Sequence, residues 1–310
     1  MGIIKFVFLF LMVLSACTHQ PDKLNHSGDD EPPKQINSQQ NNTVGYKENP
    51  PGTFLLVGID SRGEDQSRAD TILVAQYEHK HNQLKLASIM RDCYVKIPGY
   101  PQHYHKINAA YYFGGTELLK ETILVNFNLQ IDHVVTIDFQ GFKNLVDLLV
   151  PDGVEVQVSE TMIDDMSMEA SAGLNRLHGE EILKYVRYRH DDNSDFGRVQ
   201  RQQEVLLKLK NEIANRLGSV EGITVLPGII KEGLGMIETD MQLNAILGIG
   251  SQLILNNAAS AENLTIPLKG TFQDKLYPHA GAVLEINIPE NQEALSEFFS
   301  SRSGQNNKEI

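Results

Sequence analysis

Short apolar runs along this chain break repeatedly at charged residues. Phe54-Leu55-Leu56-Val57-Gly58-Ile59 stops at Asp60, a second run spans residues 72–77 just after Asp70, and a third spans 84–89 just before Arg91-Asp92. Runs of this length between polar turns predict buried strands, the last two joined by Glu78-His79-Lys80-His81-Asn82-Gln83. Residues 116–126 predict a helix with Leu118, Leu119, Ile123 and Leu124 on one side, 133–137 a strand, and 141–150 a helix that ends at Pro151. Val154, Val156 and Val158 alternate with polar residues, the pattern of a strand with one wet face. Residues 180–189 predict a helix, His190-Asp191-Asp192-Asn193-Ser194 a loop, and 195–217 a second helix. The stripe of that second helix reads Val199, Gln202, Leu206, Leu209, Ile213, which puts Gln202 in a core-facing position where a polar group needs partners. Further helices are expected near 242–256 and a closing strand over 264–268. The alternation of strands and helices predicts a single α/β domain in which helices cover a sheet.

The two ends do not follow this rhythm. Lys5 is the only charged side chain before an apolar run over residues 6–14, which leads into Leu14-Ser15-Ala16-Cys17. A membrane-spanning helix needs about 20 apolar residues, so this run has instead the length of a signal-peptide core. A small-residue cleavage site directly before a cysteine resembles the bacterial lipobox, in which that cysteine is diacylated; an ordinary secretory signal is the alternative. Two acyl chains suffice for stable anchoring. With Cys17 lipidated, the other cysteine, Cys93, has no partner within a monomer, and it reads as a structural thiol. Residues 18–51 are Asn, Gln, Asp, Pro, Ser and Lys with few bulky apolar side chains, the composition of a flexible tether spanning roughly 30–35 Å. The expected boundaries are therefore a signal peptide at 1–16, the lipidated cysteine and tether at 17–51, the folded domain at 52–290 and a frayed tail at 291–310.

Charge changes the picture more than overall composition does. The net charge of -13 argues against a nucleic-acid partner. Of only ten arginines, seven fall in three stretches: Arg62 and Arg68, then Arg91, then Arg187, Arg189, Arg198 and Arg201. Arginine presents a planar, permanently charged fork that matches phosphate or carboxylate with two hydrogen bonds. Asp60 and Asp70 bracket the first pair, and two carboxylates plus phosphate oxygens are a common way to hold Mg²⁺; a turn cap and a strand start are the plainer reading of the same two residues. Arg91-Asp92 alone would be a local ion pair worth about 0–1 kcal/mol. Arg187 and Arg189 point about 200° apart on an ideal helix and converge only if the helix ends there. The N-terminus of the next helix favours an anion at the same loop. His190 reads as a capping or solvated side chain. The chain has no GxSxG, no Walker-type loop and no HExxH or CxxC pattern.

These segments resemble the LytR-CpsA-Psr family of cell-wall enzymes. The resemblance runs through the first strand to Asp60-Ser61-Arg62, then Arg68-Ala69-Asp70-Thr71, Ser88-Ile89-Met90-Arg91-Asp92 and Lys106-Ile107-Asn108-Ala109-Ala110-Tyr111. It continues in Asp138-Phe139-Gln140-Gly141-Phe142, Leu177-His178-Gly179-Glu180, Tyr185-Val186-Arg187-Tyr188-Arg189-His190, Asp195-Phe196-Gly197-Arg198 and Arg201-Gln202-Gln203. The ordered blocks cover about residues 53–217, with weaker likeness to about 268. Met90 stands where the family usually has Pro, Cys93 where it has a small polar residue, and the lipobox-like segment where it has a transmembrane helix.

The resemblance implies a mixed central sheet covered by helices, with an apolar pocket for a polyprenyl chain. It implies Mg²⁺-dependent transfer of a phosphate-linked glycopolymer, such as wall teichoic acid or capsule, from undecaprenyl pyrophosphate to peptidoglycan. Asp60 and Asp70 would hold the metal, while Arg68, Arg91, Arg187, Arg189, Arg198 and Gln202 would bind the pyrophosphate. Arg91, Arg187, Arg189 and Asp195 would carry the catalysis, Asp195 either orienting arginines or acting as base. The setting would be the outer face of the cell membrane of a Gram-positive-type bacterium, with a lipid anchor at Cys17. A hydrolase passing the same linkage to water, and a non-catalytic lipid-binding attenuator of envelope stress, remain alternatives.

Overall fold

A computed structural model describes residues 52–60, 67–78, 83–190, 194–217, 228–241 and 260–300, all within one compact unit, Tyr46–Ile310. In chain order the first elements are β1 (Thr53–Asp60), β2 (Arg68–Glu78), β3 (Gln83–Ile89), β4 (Cys93–Lys96), β5 (Tyr104–Lys106), α1 (Asn108–Phe127), β6 (His133–Asp138) and α2 (Phe139–Leu149). There follow β7 (Val154–Val158), α3 (Glu160–Met166), β8 (Gly173–Leu177), α4 (Gly179–Arg187), α5 (Ser194–Leu217), β9 (Glu238–Thr239), β10 (Ser260–Ile266), β11 (Phe272–Tyr277), β12 (Gly281–Ile286) and α6 (Ile288–Ser300). The expected helices near 242–256, the lipobox-like segment with Cys17, the tether, and Arg62 lie outside the described residues.

The central sheet has the strand order β10-β3-β2-β1-β6-β9. It is mixed, as expected: β1 runs parallel to β6 and β3 to β10, while β2 is antiparallel to both its neighbours. Alternation along β1 divides the two faces. Leu55 and Val57 are buried on one face with Ile72, Val74 and Ala87, under Leu119, Ile123 and Phe127 of α1 and Leu295 and Phe299 of α6. Phe54 and Leu56 point the other way, toward Leu206 and Leu207 of α5. A second core joins α2, β7, α3, α4 and α5 through Val146, Val156, Ile182 and Val205. Two smaller sheets complete the fold, β11-β12-β4-β5 and the hairpin β7-β8.

One irregularity decides what the cavity-facing side of β2 carries. Gly58 pairs with Thr71 and Ile59 with Ala69, so Asp70 is an extra residue in β2. Such a bulge shifts the side-chain alternation by one. Ala69 therefore joins Ile72 and Val74 in the core, although an unbroken period of two would put it on the opposite face. Arg68 and Asp70 turn the other way and share a cavity wall with Leu73 and Ala75.

Two expectations need correction. The tail expected from residue 291 starts inside α6, which buries Leu295 and Phe299; each such side chain contributes about 1.5–3 kcal/mol of transfer free energy. The helix expected from 116 begins earlier, at Asn108, but breaks at Gly114 and at Gly115 (φ 63°), a left-handed conformation that glycine adopts without strain.

Candidate functional site

A cavity of about 1270 Å³ lies between the sheet and the layer of α2, α4 and α5. Its two ends differ because its walls run lengthwise. β1, β3 and β6 end where β2 and α5 begin, so residues at those chain ends meet at one pole. This is the carboxyl edge of the parallel strands, where open α/β sheets usually place their ligands. Asp60, Arg68, Asp70, Arg91, Arg187, Arg189, Arg198 and Gln202 all line the cavity. Toward the other pole the walls are mainly apolar, with Leu84, Phe142, Leu145, Leu149, Leu209 and Ile213 beside Gln76 and Lys210. From Phe54 to Asp60 along β1, or Arg198 to Ile213 along α5, the length is about 20 Å.

At the polar end the charges form a chain. Arg91 Nη1 donates to Asp70 Oδ1 at 2.5 Å and its Nε reaches Asp92 Oδ2 at 3.4 Å; Lys106 Nζ donates to Asp92 Oδ1 at 2.7 Å. Burial works against the Arg91 charge, but Asp70 and Asp92 outweigh it and raise the guanidinium above its usual range. Burial likewise works against the Asp92 carboxylate, yet the bond from Lys106 holds it lower than usual. Asp195, in the first turn of α5, takes Arg189 in two contacts, Nε–Oδ1 at 2.6 Å and Nη2–Oδ2 at 2.9 Å. Arg198 Nη2 lies 3.4 Å from the same Oδ1. Asp195 does not itself line the cavity; it fixes two arginines that do.

Arg198 is the most exceptional of these cations. It is 5 % exposed, and its Nε, also buried, has no hydrogen-bond partner among the described residues. Burial, only partly offset by Asp195, pushes its guanidinium down to about 10. A buried guanidinium with a donor to spare is costly unless an anion completes it.

The break between the two helices behaves as the angular argument requires. α4 ends at Arg187, and Tyr188 is extended (φ -59°, ψ 139°), so Arg189 leaves the helix and both arginines reach the cavity. Arg187 packs 4.5 Å over the Phe139 ring, and Arg68 5.5 Å over Tyr112. Arg201 is engaged elsewhere, donating to the Tyr188 carbonyl at 2.5 Å and stacking on its ring. His190 is exposed and pairs with Asp165 at 3.0 Å, outside the cavity lining.

The stripe on α5 was expected to face packed core. Val199 is buried in the core as expected, and Leu209 packs into the second core, but Gln202, Leu206, Leu209 and Ile213 also line the cavity, with Arg198 one turn before Gln202. The buried polar residue is the next one, Gln203, whose Nε2 donates to Ser88 Oγ at 2.9 Å and the Leu264 carbonyl at 3.2 Å. Cys93 is fully buried, its thiol against the Ile266 carbonyl and its ionisation pushed well up by burial, as a structural thiol requires. Sequence reasoning passed over several lining residues: Lys106 as a second partner of Asp92, and also Asn108, His105 and His279. Lys106 and Asn108 sit in a recognised block, but His279 arrives from a hairpin far along the chain and had no local signal.

Asp60 and Asp70 offer only oxygen donors, and among the described residues no group of three or more His, Cys, Asp or Glu is placed to hold a metal ion. A cation here would rely on two carboxylates plus phosphate and water, a donor set that fits Mg²⁺.

Comparison with known proteins agrees with the fold. The model of the LytR_cpsA_psr family matches residues 10–295. Regulatory protein MsrR of Staphylococcus aureus (strain COL) is 36% identical over 247 residues, covering 80% of this chain and 74% of that protein. A Bacillus anthracis (strain CDC 684 / NRRL 3495) protein named polyisoprenyl-teichoic acid--peptidoglycan teichoic acid transferase TagU is 36% identical over 171 residues, 54% of this chain and 55% of its own length. The solved structure of TagT with bound octaprenyl pyrophosphate lipid superposes with a TM-score of 0.61 at 26% identity, covering 81% of this chain and 90% of that one.

Proposed function

Because the chain belongs to the LytR_cpsA_psr family, we propose that it transfers a phosphate-linked glycopolymer from undecaprenyl pyrophosphate to peptidoglycan, with Mg²⁺. The observation that carries this reading is one cavity, about 20 Å from end to end, with arginines at one pole and mainly apolar walls toward the other. That polarity matches an amphiphile with a pyrophosphate head and a hydrocarbon tail. The naming of one relative as a transferase and the octaprenyl pyrophosphate in another support the same ligand class.

In this reading the acceptor hydroxyl oxygen attacks the phosphorus that carries the polymer. The bond from that phosphorus to the bridging oxygen breaks, polyprenyl phosphate leaves with the electron pair, and the hydroxyl proton passes to a base. Charge grows on the leaving phosphate, and preorganised cations stabilise it without reorganising. Arg91 and Arg198, fixed by Asp70 and Asp195, suit that task, with Arg68, Arg187, Arg189 and Gln202 gripping the remaining oxygens. Asp195 acts here as a positioning residue, its carboxylate already committed to two arginines. Mg²⁺ held by Asp60 and Asp70 would supply further neutralisation of the pyrophosphate.

The test is incubation with lipid-linked polymer, Mg²⁺ and soluble peptidoglycan fragments. Covalent polymer–glycan product is expected, and Arg91→Ala or Asp70→Ala should reduce it by at least about 10²-fold with the thermal transition of the fold retained. Free polymer and polyprenyl phosphate alone would mark a hydrolase, and no turnover with tight lipid binding a regulator that only binds. The reading also includes anchoring through Cys17 on the outer membrane face. Labelled palmitate should enter the wild type in cells and be absent from Cys17→Ser.

A further inference from the structure

The polar pole of the cavity opens beside a group of rings that the proposed chemistry does not use. They stand on the four-stranded sheet: Tyr94 on β4, Tyr104 on β5 and Tyr277 on β11, with His279 on the turn before β12 and His105 on β5. Tyr94 stacks on Tyr277 (4.6 Å, 15°) and lies 5.7 Å from Tyr104, tilted by 30°. His279 closes the group, 5.9 Å from both Tyr277 and His105. The rings are held in place. Tyr94 Oη meets His279 Nε2 at 3.1 Å, Tyr277 Oη donates to Glu285 at 2.5 Å, and His105 Nε2 meets the His279 carbonyl at 3.0 Å.

Three of the chain's ten tyrosines stand on this one small sheet, and Tyr100 joins them beside His105 from the connection between β4 and β5, a grouping that asks for a reason beyond packing. A core would bury them, yet Tyr104 is 44 % exposed, His279 is exposed, and Tyr94 and Tyr277 are only half-buried. Flat rings with fixed hydroxyl and imidazole edges are suited to a ligand that has both an apolar face and many hydroxyls, which describes a sugar ring. Fixing them in advance lowers the entropy lost on binding. Location selects which sugar. His105 and His279 belong both to this group and to the cavity wall, at the end that carries Arg68, Asp92 and Lys106. The opposite pole is apolar, so a hydrophilic acceptor has to approach from the side of the rings.

We propose that this aromatic platform binds the acceptor glycan strand and sets its hydroxyl against the pyrophosphate; the proposal rests on the transferase reading above. The occupant is a neutral-faced chain of N-acetylated hexosamines held by Tyr277 and Tyr104, the rings on either side of Tyr94, and leading toward His105. The polymer on the donor side is anionic and stays with the arginines.

The test separates the two claims by measuring glycan binding directly. In titration calorimetry, a hexasaccharide of β-1,4-linked N-acetylglucosamine should bind the wild type. The Tyr104→Ala/Tyr277→Ala variant should bind it at least about tenfold more weakly, the loss expected for two stacking faces. Tyr104→Phe/Tyr277→Phe should stay within about twofold, since the faces survive. Affinity for a short polyprenyl pyrophosphate should be equal in all three. The platform is overturned if the wild type does not bind the hexasaccharide, if the alanine variant binds it equally, or if that variant loses both ligands together. Glycan binding without transfer would instead sink the transferase reading and leave the platform standing.

Discussion

Arg198 shows at the scale of one residue how the site trades stability for binding. Its charge is buried against one shared carboxylate oxygen, and its pKa falls from the usual guanidinium range to about 10. A base whose folded pKa is depressed costs stability while charged, and the cost is relieved as pH rises from about 10 toward the usual guanidinium value. Arg198→Met should therefore leave the ligand-free protein at neutral pH as stable as the wild type or more stable by about 1 kcal/mol, because Asp195 keeps Arg189. The same variant should lose pyrophosphate affinity. In the wild type that affinity should hold below pH 10 and weaken as pH passes through it. Chemical denaturation and a pH series of pyrophosphate binding check both halves; a clearly destabilised Arg198→Met would contradict this account.

Between elements, helix contacts fix where the arginines stand. A Cβ on Gly179 would come 2.1 Å from the Lys143 carbonyl oxygen, so the start of α4 presses on the backbone of α2. Gly179 N–H is also committed, donating to Asp147 Oδ1 at 2.8 Å. Gly179→Ala must push α4 away and should cost about 1–3 kcal/mol, read as a lowered midpoint of thermal unfolding. Since α4 ends on Arg187, transfer should fall with stability. At this scale the sequence was informative where a pattern is local. The strands around Leu55 and Leu86 and the stripe on α5 could all be read from periodicity. What faces the stripe could not, because a helix next to a cavity and a helix next to a core need the same apolar spacing; only polar partners separate Gln202 from Gln203. The bulge at Asp70 was equally invisible, since it lies in the pairing of two strands rather than in either one. α6 was missed because its polar start at Pro289-Glu290-Asn291 resembles a tail until Leu295, Phe298 and Phe299 are grouped on the core.

For the molecule as a whole, one cavity joins charges contributed by seven separated segments, and no local motif contains its volume. The arginine clusters were legible because their residue type is rare in this chain; the apolar walls were not, because Leu and Val lining a cavity look like Leu and Val in a core. Blocking the space tests its role. Leu206→Trp on α5 should fill part of the apolar channel, abolish turnover of the long-chain substrate, and leave affinity for inorganic pyrophosphate within about twofold. Equal loss of both would mean that the lipid does not lie along α5.

Because β1, β2 and α5 each span the cavity between its charged pole and its apolar one, the proposed function would have tail length and head chemistry read by different stretches of the same elements. On that reading, changes at Leu84 or Ile213 should retune which carrier lipid is accepted without disturbing a single arginine. The cavity would in that sense be modular along its length, its charged pole and its apolar one open to change independently.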